Sequence, residues 1–166
     1  MNLYIARHAE ALPIGGTVAR DADRQLSKQG ERDAAAVGRA LTALEPATPL
    51  IVTSPLVRAQ RTADAFRKAF PRPPALEAWE ELAPGIRHRA LLSRLHTLTE
   101  AAVILVGHQP DLTNFIAYLV ADGAAEIALP PGAVALLKLQ AGGSAGSARL
   151  HWLLTPDLIR TLHPPT

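Results

Sequence analysis

The sequence predicts an α/β fold in three layers: a mostly parallel central sheet, helices on both faces, and an antiparallel hairpin near the carboxyl end. Three observations predict it. Short apolar runs at 3–5, 50–53 and 103–106 alternate with segments of helical periodicity, the order that builds a covered parallel sheet. The run Val103-Ile-Leu-Val106 is apolar throughout, the pattern of a strand buried on both faces. A Gly/Ser-rich stretch at 142–147 separates two strand-like runs, which reads as a hairpin.

Each element follows in order. Leu3, Tyr4 and Ile5 make a first strand that ends abruptly in Arg7-His8. Residues 11–27 lack periodicity, contain Gly15-Gly16, and form a loop carrying Asp21, Asp23 and Arg24. Ser27 or Gly30 caps the next helix, whose face is Ala34, Val37, Leu41 and Leu44; Pro46 and Pro49 end it. The second strand is 50–53. Ser54 then suits an N-cap and Pro55 suits the first helical position. Arg58 falls in the first turn of this helix, which carries an Ala59, Ala63, Phe66, Phe70 stripe and is closed by Pro71, Pro73 and Pro74. A short strand at 75–79 precedes a loop at 80–85. Leu91, Leu92, Leu95 and Leu98 stripe a third helix. The strand 103–106 runs into Gly107-His108-Gln109-Pro110-Asp111 and a fourth helix with Leu112, Phe115, Ile116 and Leu119 inward. Pro130-Pro131-Gly132 breaks the chain before the hairpin, 133–139 with 148–154, and a short helix is expected at 156–162. No repeat or linker interrupts this order, so 1–166 reads as one domain.

Composition narrows the function. The chain has 166 residues, 48% of them hydrophobic, enough for one core. It has no cysteine, which removes disulfides and thiolate metal sites and suits a cytoplasmic protein. Net charge is only +2 and no Lys/Arg block stands out, so no nucleic-acid partner is expected. No apolar run reaches a membrane span, and Arg7, His8 and Glu10 interrupt any signal-peptide core. No G-x-G-x-x-G follows the first strand, and there is no G-x-x-x-x-G-K-[ST].

Three strand-to-helix junctions carry unusual residues: Arg7-His8, Ser54 to Arg58, and Gly107-His108. In a parallel sheet all three open on one edge, the edge where ligands bind. Taken singly, each has a structural alternative: a satisfied strand-end pair, a solvated helix arginine, a buried turn histidine. Together they form a cationic cluster that is costly without an anion. A phosphoryl group suits it, because arginine forks match phosphate oxygens and helix amino termini add donors. A zinc site is the competing reading of the histidines, and the flanking arginines argue against a dication there. His88, His96, His151 and His163 share no spacing and read as surface histidines.

These stretches resemble a known family. Leu-Tyr-Ile-Ala-Arg7-His8-Ala-Glu10, Ser54-Pro55-Leu-Val-Arg58-Ala-Gln-Arg61-Thr62 and Val106-Gly107-His108-Gln109-Pro110 are similar, in order and spacing, to the three motifs of the histidine phosphatase superfamily, the phosphoglycerate mutase-like fold. Asp23-Arg24-Gln-Leu26-Ser27-Lys-Gln-Gly30 resembles the stretch that leads into that family's first helix. The small size and the Arg-His-Ala-Glu sequence look most like SixA-type phosphohistidine phosphatases.

The resemblance implies a phosphatase in which His8 is the nucleophile and a phosphohistidine forms. It implies that Arg7, Arg58 and a protonated His108 hold the phosphoryl oxygens, with no metal or other cofactor. Glu81, with Glu80 as rival, matches the family's general acid, and Arg24 either contacts substrate or stabilises its loop. Arg61 reads as a structural or surface residue, and Glu10 as an orienter of the first motif. The implied partner is a phosphohistidine protein or a small phosphorylated metabolite. The alternatives are a small-molecule phosphomonoesterase and a non-catalytic phosphate-binding module.

Overall fold

A computed structural model describes residues 1–15, 18, 20–45 and 47–162. Gly16, Pro46, His163 and the prolines at 164 and 165 lie outside the described residues. The elements are β1 (Asn2–Arg7), α1 (Lys28–Leu44), β2 (Leu50–Thr53), α2 (Val57–Ala69), β3 (Leu76–Ala78), α3 (His88–Leu95), β4 (Ala102–Gly107), α4 (Asp111–Ala121), β5 (Val134–Lys138), β6 (Arg149–Leu154) and α5 (Pro156–Leu162). Short 3₁₀ turns at Asp21–Asp23 and Glu80–Leu82 sit inside the two expected loops.

The sheet order is β3-β2-β4-β1-β5-β6. The strands β3, β2, β4 and β1 are mutually parallel, β5 runs antiparallel to β1, and β6 antiparallel to β5. Parallel register aligns Arg7 with Gly107 and Thr53 with Val106. The three sequence motifs therefore leave the sheet at one edge.

Side-chain alternation along the strands separates two cores. Leu3, Ile5, Val103 and Leu105 face α3 and α4, packing with Leu91, Leu95, Phe115 and Ile116. Tyr4, Ala6, Ile104 and Val106 face α1 and α2, packing with Val37, Leu41, Ala63 and Phe66. Every residue of β4 is buried, as its apolar run requires. This is the three-layer α/β arrangement that the sequence predicts.

Local chemistry sets the helix starts. Ser27 caps α1, its hydroxyl accepting from the Gly30 N–H at 2.9 Å. Gly30 serves a different purpose: a Cβ there would lie 2.0 Å from the Glu10 carbonyl oxygen, so only glycine lets α1 rest on that backbone. The start of α2 differs from expectation. Its N-cap is Leu56, not Ser54, and the helix begins at Val57. The Ser54 hydroxyl accepts only a long bond from the Leu56 N–H, 3.3 Å, and lies 2.8 Å from His108. Arg58 still falls in the first turn. The helix α3 ends at Leu95, so Leu98 joins the core from beyond it. His88 is not a plain surface histidine, since its ring lies 5.7 Å from Phe115 and 5.3 Å from Tyr118. No helix among the described residues is long and apolar enough to cross a membrane.

Candidate active site

At the carboxyl edge of the sheet lies a cavity of about 440 Å³ lined by Arg7, His8, Asp21, Arg24, Arg58 and His108, among others. Alternation along β1 sends Arg7 and His8 to different sides. Arg7 donates from Nη1 to the Leu129 carbonyl at 3.2 Å, and Gln109 donates to the same carbonyl at 3.0 Å. His8 turns toward α2, where Arg58 Nε lies 3.2 Å from its Nε2.

The partners of His8 fix its tautomer. An arginine nitrogen only donates, so His8 Nε2 carries the lone pair. A carbonyl only accepts, so Nδ1 carries the proton and donates to Ala9 O at 2.7 Å. The backbone holds the ring in place. His8 N–H donates to Gly107 O, and the Ala9 N–H donates to the Thr62 hydroxyl, which in turn donates to Arg58 O. Thr62 thus ties the loop after β1 to the helix that carries Arg58. Burial pushes the His8 pKa down to about 4; the Ala9 carbonyl opposes this, and Arg58, Arg7 and Arg24 add to it. The ring is therefore neutral near pH 7, as a nitrogen nucleophile must be.

His108 sits across the cavity, its ring centroid 5.2 Å from that of His8. Its Nε2 is 2.8 Å from Ser54 Oγ. Burial, then the charge of Arg58, brings its pKa down to about 3, so without an anion it is neutral. Two buried nitrogens, Arg7 Nε and His108 Nδ1, find no hydrogen-bond partner among the described residues. Both belong to the residues expected to grip a phosphoryl group. A buried donor left unpaired costs about 1–3 kcal/mol.

Arg58 is only 5% exposed. Its Nη1 donates to the Asp21 carbonyl at 2.7 Å and its Nη2 to the Asp21 carboxylate at 2.9 Å. Arg24 reaches the same carboxylate at 3.3 Å while donating to the Leu12 and Ala11 carbonyls. Burial raises the Asp21 pKa, but the bonds and charge of Arg24 and Arg58 outweigh it and hold the carboxyl below the ordinary range. Arg24 is thus both a loop anchor and a wall of the cavity.

Glu81 lies elsewhere. Its carboxylate is 2.5 Å from Arg94 Nη1, and that guanidinium stacks 3.7 Å above the Trp79 ring. Glu80 and Glu81 line a neighbouring cavity of about 590 Å³. The hydrogen bond from Arg94 holds the Glu81 carboxyl below the usual carboxylate range. Glu10 accepts from the Ser27 hydroxyl at 2.6 Å, joining the first motif to the cap of α1, while Arg61 is exposed on α2. Among the described residues no group of three or more His, Asp or Glu side chains is arranged to hold a metal ion.

The model of the Histidine phosphatase superfamily (branch 1) matches residues 3–86. The chain belongs to this superfamily. An uncharacterized protein of Picosynechococcus sp. is 37% identical to this chain over 117 residues, 68% of each chain. The structure of the protein histidine phosphatase SixA complexed with tungstate superimposes with a TM-score of 0.83 at 23% identity, covering 95% of this chain and 98% of that one. The alpha-ribazole phosphatase from Shigella flexneri superimposes with a TM-score of 0.73 at 17% identity, covering 94% and 97%.

Sequence reasoning placed Arg7, His8, Arg58 and His108 in one crevice, and they line one cavity. It missed Asp21, Ser54 as partner of His108, and Thr62 as a tie between motifs. Asp21 carried one signal: an acidic residue in a loop otherwise facing a cationic cluster. Ser54 carried none, because a serine before a proline reads as a helix cap.

Proposed function

We propose that this chain is a metal-independent phosphatase that works through a phosphohistidine at His8 and hydrolyses phosphohistidine on a protein. The observation that carries the reading is a histidine whose Nε2 bears a lone pair, in a cavity lined by Arg7, Arg58 and His108, where the buried Arg7 Nε and His108 Nδ1 have no partner among the described residues. In the first step His8 Nε2 attacks phosphorus, a new N–P bond forms, and the bond to the leaving group breaks. In the second, water attacks phosphorus, the His8 N–P bond breaks, and inorganic phosphate departs. Charge spreads over the phosphoryl oxygens in both transition states, where Arg7, Arg58 and His108 stabilise it. The arriving dianion raises the pKa of His108, so the ring takes up a proton as it binds.

The leaving group follows from Glu81. A carboxylate held ionised by Arg94, in a different cavity from His8, is a poor proton donor. An imidazole protonated on its other nitrogen leaves as a neutral base with no proton needed at the departing atom, whereas an ester oxygen needs a proton donor to avoid leaving as an alkoxide. This favours N–P over O–P cleavage. The second reading is a small-molecule phosphomonoesterase. It is favoured by the fold shared with an alpha-ribazole phosphatase and by Pro84, which lines both cavities and so makes them neighbours.

The two readings separate in EDTA, with a phosphohistidine peptide and an aryl phosphate assayed on wild type and Glu81→Gln. The account expects fast N–P cleavage that changes less than about threefold in the variant. Fast ester cleavage that collapses in the variant supports the second reading. Turnover of neither substrate leaves a phosphate-binding module.

A further inference from the structure

Arg58 has five N–H donors, and three are already engaged: Nε on His8 Nε2, Nη1 on the Asp21 carbonyl and Nη2 on the Asp21 carboxylate. Two consequences follow if His8 and Arg58 act as proposed above. The lone pair that must attack phosphorus is covered by a guanidinium N–H at 3.2 Å. The guanidinium that must bind phosphoryl oxygens already holds a carboxylate. A phosphoryl group therefore has to draw Nε away from His8, and it meets a guanidinium on which the Asp21 carboxylate is already seated.

Asp21 is built for exchange rather than for permanent pairing. Arg58 is buried, but the Asp21 side chain is 48% exposed and stands on a short 3₁₀ turn. Its carbonyl also holds Arg58, so the guanidinium stays anchored when the carboxylate lets go. Arg24 retains the carboxylate at the rim, with two carbonyl contacts of its own to fix it there. The other acid of the cavity, Glu10, accepts from Ser27 instead. A dianion beside a fixed carboxylate is repelled, and that repulsion acts on the product phosphate as well as on substrate.

We propose that Asp21 is a resident anion on Arg58, competing with the phosphoryl group for that guanidinium and reclaiming it as inorganic phosphate leaves. It is a positioning residue that sets phosphoryl affinity and speeds product release. The proposal rests on the reading of Arg58 as a phosphoryl ligand.

Calorimetric titration of the full chain with inorganic phosphate tests it, on wild type, Asp21→Asn and Asp21→Glu. Removing the charge at constant size should tighten phosphate binding about fivefold or more, the lower end of coupling between interacting sites. D21E should bring the affinity back toward wild type. In turnover, D21N should lower KM and also lower kcat, with stronger product inhibition. A merely structural Asp21 predicts the opposite, weaker phosphate binding in D21N, and that result or an unchanged affinity overturns the proposal. Because phosphate titration needs no turnover, the two readings fail separately. Tighter phosphate in D21N with no hydrolysis of any substrate removes the phosphatase and keeps the competing anion. Turnover through His8 with no tightening removes the competing anion and keeps the phosphatase.

Discussion

The two ends of β1 carry two buried polar clusters, and they are finished differently. At the amino end, Glu45 is 5% exposed and its carboxylate accepts from Asn2 at 2.7 Å, Tyr4 at 2.9 Å and the Ala47 N–H at 3.0 Å. Burial raises the Glu45 pKa, yet these bonds outweigh it and keep the carboxyl below its ordinary range, so the charge is fully satisfied. At the carboxyl end, Arg7 Nε and His108 Nδ1 remain without partners among the described residues. The closed cluster holds the fold together. The open one leaves buried polar groups unpaired beside the cavity at the sheet edge.

That contrast can be broken by substitution. The largest effect should come from His8→Ala, which removes the proposed nucleophile. Turnover should fall by roughly a thousandfold or more, while urea unfolding changes little. Stability should respond at the other end. Glu45→Ala leaves Tyr4 and Asn2 unpaired and should cost about 3 kcal/mol, with the aryl phosphate or phosphohistidine rate per folded molecule nearly unchanged. Arg58→Met should do the reverse, destroying activity at little or no cost in stability, since it removes a buried charge whose partner is half-exposed. If E45A lowers kcat as much as R58M does, the two ends are not separate in function.

Acid sharpens the comparison. Burial holds His8 at about 4 and His108 at about 3, while the unfolded rings titrate near ~6.5. Above that value neither state is protonated, and these rings add no pH dependence. Below it the unfolded chain binds protons the native chain refuses, so stability falls as pH drops, until the native rings protonate at about 4 and about 3. Between pH 7 and 5 the loss should be about 2 kcal/mol per ring. Glu45 and Asp21, with depressed carboxyls, add losses only at lower pH. Unfolding curves at pH 7 and 5 should show this loss shrink in a His8→Asn, His108→Asn double variant. The smallest effect belongs to Ser54→Ala, which removes one bond to His108 and should cost about 1 kcal/mol with a severalfold loss of rate.

Much of this was legible in the chain. The apolar run at 103–106 identified the central strand, and the motif order placed three junctions on one sheet edge. These signals are local or rest on topology rules, which a sequence carries well. What escaped depends on partners far apart in the chain. The cap assigned to Ser54 failed because its hydroxyl serves His108, 54 residues away. Asp21 finds Arg58 across 37 residues through a loop without periodicity. Glu81 matched a family pattern, but nothing in the sequence showed that Arg94, 13 residues on, would take its carboxylate.

The most direct test of the central claim is to trap the phosphorylated chain. Wild type is mixed with a ³²P-labelled substrate, quenched during turnover, and the label assayed for its chemistry and position. The account predicts a stoichiometric protein-bound label that is stable in alkali, lost in acid, located on His8 and absent from His8→Ala. Turnover with no such label, or an undiminished label in His8→Ala, would contradict it.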